Sequence, residues 1–208
     1  MGSPNRSCSP ASKHHKTSVA RPVFDRAMPS NTKGAIMSIG FSEELSIIAK
    51  FKESAPVDVN GLAKALGINF SVTRMDEHLF GAIRKTGGDR YEIAISDADS
   101  EHRQRFTMAH LLGHYYWHRE MVDDVLYLDR NYNSAFCGGR WNAAIGPSER
   151  TTANRFAVET LMPAALVKRI VREKNTDDPK TIAAALNVST PIMEIRLKSL
   201  LKERQEGA

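Results

Sequence analysis

A chain of 208 residues with 41% apolar content is long enough to bury one sizeable core, and it contains no run of about 20 apolar residues of the kind a membrane span needs. Its start, MGSPNRSCSPASKHHK, is polar and basic without an apolar stretch, so the expected setting is the cytoplasm. The two cysteines, Cys8 and Cys137, are too few for a disulfide framework or a thiolate zinc cluster, which leaves His and carboxylates as the ligands for any metal. The formal charge of +5 is not spread over the chain: six of the 29 basic residues and one of the 24 acidic residues fall within 1–36, leaving 23 of each sign in the remainder. A neutral remainder gives a nucleic-acid partner little to bind, and residues 1–36 are expected to be a disordered basic tail or an over-called translation start.

From Met37 the texture changes. FSEELSIIAKF predicts a first helix with Ser42 as its cap and Leu45, Ile48 and Phe51 on one face. NGLAKALG predicts a short second helix with Asn60 at its start and Gly67 as its left-handed stop. INFSVTRM alternates Ile68, Phe70 and Val72 as a half-buried strand does. LFGAIRK and RYEIAIS flank TGGD as a hairpin, with Tyr91, Ile93 and Ile95 facing one way. A long helix follows from Ser100 through SEHRQRFTMAHLLGHYYWH, with Phe106, Ala109 and Leu112 at helical spacing. Residues 119–148 read as irregular, a length that in a compact domain points to a functional or mobile loop. Helix resumes near Pro147–Thr151, runs to Met162, and residues 163–208 read as helix throughout.

The chemistry lies in His110-Leu-Leu-Gly-His114. Residues four apart on a helix are separated by about 40° around the axis and about 6 Å along it, so both imidazoles can reach one ion. A bare pair of this kind also occurs as two satisfied core histidines. His118 lies about 12 Å along the helix from His110, too far to share that ion, and is read as structural.

The context is more specific than the pair. Arg105-Phe106-Thr107, Ala109-His110, Leu112-Gly113-His114 and His118, followed by Ala153-Asn154, Phe156-Ala157, Glu159 and Leu161-Met162-Pro163, resemble the two core blocks of the ImmA/IrrE family of zinc metallo-endopeptidases. The likeness extends loosely from about residue 41 to VSTPIMEIRLKSL near the end. It implies an α+β, zincin-like domain over 37–163 with a small sheet beside the histidine helix, a helical subdomain over 164–208, and a zinc ion on the histidines. Relatives in this family commonly act on or beside a repressor or antitoxin with a helix-turn-helix domain, which makes such a protein the implied partner.

Two departures bear on activity. The family's residue after the first histidine is a glutamate that moves protons at the metal-bound water, whereas this chain has Leu111, and an isobutyl group neither accepts a proton nor orients a water. General acid–base catalysis contributes about 10²- to 10⁴-fold, so little hydrolysis is expected. The third ligand implied by the resemblance is a glutamate four residues before Asn154, where this chain has Arg150. Glu149 is adjacent, and the segment ERTTAN reads as one residue inserted, so Glu149 serves only if the first turn of its helix is shifted; otherwise it is an acidic residue suited to a helix start. The candidate metal set is therefore His110, His114 and Glu149. Glu159 is expected in the packing between the two helices, and Tyr115, Tyr116 and Trp117 as core or groove aromatics.

Within 164–208, Thr181–Leu186, a turn at Asn187–Ser189 and a helix capped by Thr190 have a helix-turn-helix layout. The second helix carries Arg196, Lys198, Lys202 and Arg204 against Glu194 and Glu203, a modest excess, and its Ile192, Ile195, Leu197, Leu200 and Leu201 suggest burial. Three readings follow: a metallopeptidase-like pseudoenzyme that binds a protein partner, an active or residual zinc endopeptidase, and a DNA-binding regulator.

Overall fold

The computed structural model describes residues 40–122, 125–129 and 145–206. The expectation for the tail, 1–36, and the segments DRNYN and CGG with Cys137, apart from Asp129, lie outside them. Within the described residues the order is α1 (Phe41–Phe51), α2 (Val59–Ala65), β1 (Asn69–Thr73), β2 (Leu79–Gly87), β3 (Arg90–Ser96), α3 (Glu101–His118), β4 (Val125–Asp129), α4 (Pro147–Leu161), α5 (Ala164–Lys174), α6 (Pro179–Leu186) and α7 (Thr190–Glu206). This is the expected α+β class, with a sheet packed on the histidine helix and helices after it.

The sheet runs β1-β3-β2-β4, with β1 parallel to β3 and the other pairs antiparallel. The hairpin turns where read, at Gly87 and Gly88, both with positive φ that side chains rarely adopt. Ile93 opposes Ile83 and Ile95 opposes Gly81, so these residues share one face of the sheet, and Tyr91 joins them through its register with Lys85. Tyr91, Ile93 and Ile95 are buried as expected, but Val72 on the edge strand β1 is exposed. β4 corrects the reading of 119–148 as irregular. Val125–Asp129 pairs with β2, Leu126 opposite Ile83. Five residues, VLYLD, with four apolar ones in succession and no alternation, are too short a run for periodicity to identify; the hydrogen-bonding edge of β2 supplies what the local pattern lacks.

Caps shift by a residue or two from the sequence reading. Gly40, not Ser42, stands at the start of α1, and Asp58, not Asn60, caps α2 by accepting from Gly61 N–H at 2.8 Å. Thr190 is already within α7. Helix α1 turns differently from the expected face: Ile48 is buried, Leu45 is exposed, and Glu44 is buried instead. The Glu44 carboxylate accepts from Tyr115 Oη at 2.8 Å and from Arg119 Nη1 at 2.6 Å, which ties α1 to the end of α3. An acid-rich stripe hides its inward member from periodicity arguments, because the sequence cannot show that a tyrosine and an arginine 71 and 75 residues later will receive it.

The C-terminal helices are fastened to the rest by polar contacts. Arg105 of α3 donates to the carbonyls of Asn187 at 3.1 Å and Val57 at 2.8 Å, and Asn187 Nδ2 donates to Glu101 at 2.5 Å. Arg196, counted above among the cations of the second helix, is buried and donates through Nε to the Met162 carbonyl at 3.2 Å. Ile195 and Leu201, expected inside, are exposed.

Candidate active site

Helix α3 crosses beneath the sheet and is buried almost continuously from Thr107 to Tyr116. Its second neighbour is α4, and the two approach at Gly113, where a Cβ would stand 3.0 Å from both Cα and the carbonyl oxygen of Ala153 and 3.1 Å from Cβ of Phe156. A methyl group there would require the Ala153 backbone to give by a few tenths of an ångström. The glycine of the histidine motif thus lets α4 lie close enough for Asn154 to reach α3.

The two imidazoles meet. His110 Nε2 and His114 Nε2 are 3.1 Å apart, and both side chains are 1% exposed. Two nitrogens bound tetrahedrally to one zinc at 2.0–2.1 Å stand about 3.3 Å from each other, so the pair is set at nearly the bridging separation. His110 Nδ1 lies 2.8 Å from Oδ1 of Asn154, an acceptor, so Nδ1 carries the proton and Nε2 presents its lone pair. Asn154 is the residue sequence reasoning missed: it stood in the matching block without a role, and the signal was its type, a side-chain acceptor between Ala153 and Phe156-Ala157. Among the described residues, His114 Nδ1 and His118 Nδ1 are buried without a hydrogen-bond partner. The rings of His114 and His118 pack with centroids 5.1 Å apart, so His118 continues the histidine column.

Burial holds both rings neutral. It pushes His110 down to about 4, despite the opposing hydrogen bond from Asn154, with the charge of Arg150 also acting downward. His114 goes further, to about 2, through burial first, then its two neighbouring histidines and Arg150. His118 is lowered by burial and raised by the charge of Glu149.

Glu149, the candidate third ligand, and Arg150, which stands at the spacing where the resemblance implies that ligand, divide as follows. Glu149 Oε2 accepts the Gly146 N–H at 2.8 Å, the reach-back of an acidic residue to the start of its own helix. Arg150, one turn before Asn154, is half-buried, and its charge bears on both imidazoles of the pair. Among the described residues no group of three or more His, Cys, Asp or Glu is gathered in a metal-holding arrangement. The histidine pair fits a metal ion, and among the described residues no third protein ligand is gathered with it.

Leu111 is 0% exposed and lies against β2, where a Cβ on Gly81 would meet Leu111 Cδ1 at 3.1 Å, Thr107 Cγ2 at 2.8 Å and the Ala94 carbonyl at 2.8 Å. Its side chain is a core side chain. Tyr115 and Tyr116 are buried as expected, whereas Trp117 is 54% exposed. Glu159, expected between the helices, instead takes Arg155 Nε at 2.8 Å in an outward i,i+4 pair.

The order of sheet, histidine helix and following helices defines a metallopeptidase-like α+β domain. The chain belongs to the family described as the IrrE N-terminal-like domain (Peptidase_M78), which matches residues 63–198. No curated protein matches it. Among the described residues no helix is long and apolar enough to cross a membrane.

Proposed function

We propose that this protein is a catalytically impaired member of its family, one that binds a protein partner of the repressor or antitoxin type through the groove beside the histidine helix, in the cytoplasm. One observation carries the reading: the position that follows the first histidine is filled by Leu111, packed into the core against Gly81. No proton acceptor stands there, and a hydrocarbon sealed against a strand has no water to orient. Zinc on this chain would rest on His110 and His114, with Glu149 or water completing the shell; two imidazoles alone hold it weakly.

The test is an assay of a co-purified partner with wild-type protein, zinc-loaded and chelated, beside His110→Ala. Stable association without cleavage is expected. Zinc-dependent cleavage by the wild type, abolished by the chelator and by His110→Ala, would establish the active endopeptidase instead. The DNA-binding reading gains no support from the placement of Arg196, which serves the Met162 carbonyl rather than an outer face.

A further inference from the structure

We propose that the pocket between the first turns of α3 and α7 binds a small molecule with an apolar body and a carboxylate. It is a separate site from the histidine pair: His102, on its wall, precedes His110 by about 12 Å along α3. The pocket has a volume of about 340 Å³. Its hydrocarbon comes from three parts of the fold, Phe106 of α3, Leu161 at the end of α4, and Val188 and Ile192 around the start of α7. Leu161 and Val188 are buried and Phe106 and Ile192 half-buried, whereas His102 and Arg103 are exposed, so the depth is apolar and the charge stands at the mouth.

Among the described residues that line the pocket there is no Asp or Glu. Glu101, beside His102 in sequence, takes Asn187 Nδ2 instead. The Arg103 guanidinium lies over the Phe80 ring, 4.8 Å from its centroid. A ring neutralises no charge, and stacking on the guanidinium face leaves the N–H groups at its edge for the fork of a carboxylate. His102 adds a donor in either protonation state. The side chain of Ser100 makes no capping bond at the start of α3, so the positive end of an 18-residue helix at the same mouth also favours an anion.

Ile195 shows that the site lacks an apolar cover. It lines the pocket and is 65% exposed, the one large apolar side chain of the lining left so open. A volume of 340 Å³ is more than twice the roughly 150 Å³ that takes one benzene ring and falls in the lower part of the range of about 300–1,000 Å³ for small-molecule pockets. A protein partner needs a face of roughly 800 Å² on each side, for which one exposed isoleucine at a concave mouth gives little. The occupant is therefore a free acid with a ring or a short chain, its hydrocarbon on Phe106 and Ile192 and its carboxylate on Arg103.

The experiment is a nuclear magnetic resonance titration of the full chain with indole-3-acetate and decanoate, beside the uncharged indole-3-acetamide and the peptide N-acetyl-Glu-Leu-Phe amide. Saturable shifts of the Ile192 and Ile195 methyls and the His102 ring are expected from at least one free acid, with indole-3-acetamide weaker than indole-3-acetate. Arg103→Gln should weaken that binding by about 3- to 10-fold, the range for an ion pair open to solvent on one side. Ile195→Glu, at an exposed position where the fold tolerates a charge, should weaken it further by repelling the carboxylate. No saturable shift with either acid, acid and amide binding alike, or unchanged binding in Arg103→Gln would overturn the proposal. Tighter binding of the peptide than of both acids, or the same shifts on concentrating the protein without any probe, would also overturn it, giving the pocket to a protein partner or to a second copy of the chain. None of these outcomes bears on the impaired-enzyme reading, which falls to metal-dependent cleavage.

Discussion

Gly113 on α3 faces Ala153 on α4 at a separation that takes a methyl group only if the neighbour gives: a Cβ would lie 3.0 Å from the Ala153 backbone at two atoms. Backbone cannot rotate away as a side-chain tip can, so Gly113→Ala must push the helices apart by tenths of an ångström. A loss of about 1–3 kcal/mol is expected from urea unfolding, the usual cost of overpacking, and Gly113→Val should exceed it. Unchanged stability would mean that the two helices are not seated as closely as described.

Asn154 holds the tautomer of His110. Asn154→Ala leaves a buried Nδ1–H without its acceptor, at an expected cost of about 1–3 kcal/mol. Asn154→Asp keeps the acceptor and adds a negative charge, so the His110 pKa should rise from its depressed value. Ring nitrogen shifts followed against pH would show both effects.

Leu111→Glu is the substitution that sequence alone recommends for restoring proton transfer, and the structure gives it a different outcome. The carboxylate would replace a side chain that is 0% exposed and lies against Gly81 of β2. Destabilisation of more than about 3 kcal/mol is expected, without peptidase activity. Because burial raises the pKa of that carboxyl in the fold, the penalty should grow as pH rises above about 4.3, where the unfolded chain ionises. Melting temperatures at pH 4 and pH 7, together with a cleavage assay, test this.

Acid should weaken the fold through the histidine pair. In the unfolded chain each ring takes a proton near 6.5, while in the fold His110 waits until about 4 and His114 until about 2. Below 6.5 the unfolded state binds more protons, so stability is complete above that pH and is lost as pH falls towards the folded values. The slope is up to about 1.4 kcal/mol per pH unit for each ring. Urea midpoints at pH 7.5, 6 and 5 should fall in order, and His114→Phe should flatten the trend.

The sequence by itself determined the family, the α+β class, the hairpin at Gly87-Gly88 and the histidine column of α3. These rest on local rules: strand alternation, the helical four-residue step, and glycine where φ is positive. What touches what across the chain was decided only by tertiary structure. Glu44 looks like any surface acid until α3 brings Tyr115 and Arg119 to it. Arg196 looks like a cation for an outer face until α4 ends beside it with an unsatisfied carbonyl. Leu111 could be read as a lost base, but whether its space lies open or packed depends on β2 and on the missing side chain of Gly81. The third ligand was undecidable from spacing because one residue is about 100° of helix. The start of α4 fixes that rotation, turning Glu149 to Gly146 and placing Arg150 one turn from Asn154, and so sets the sign of the charge beside the histidines.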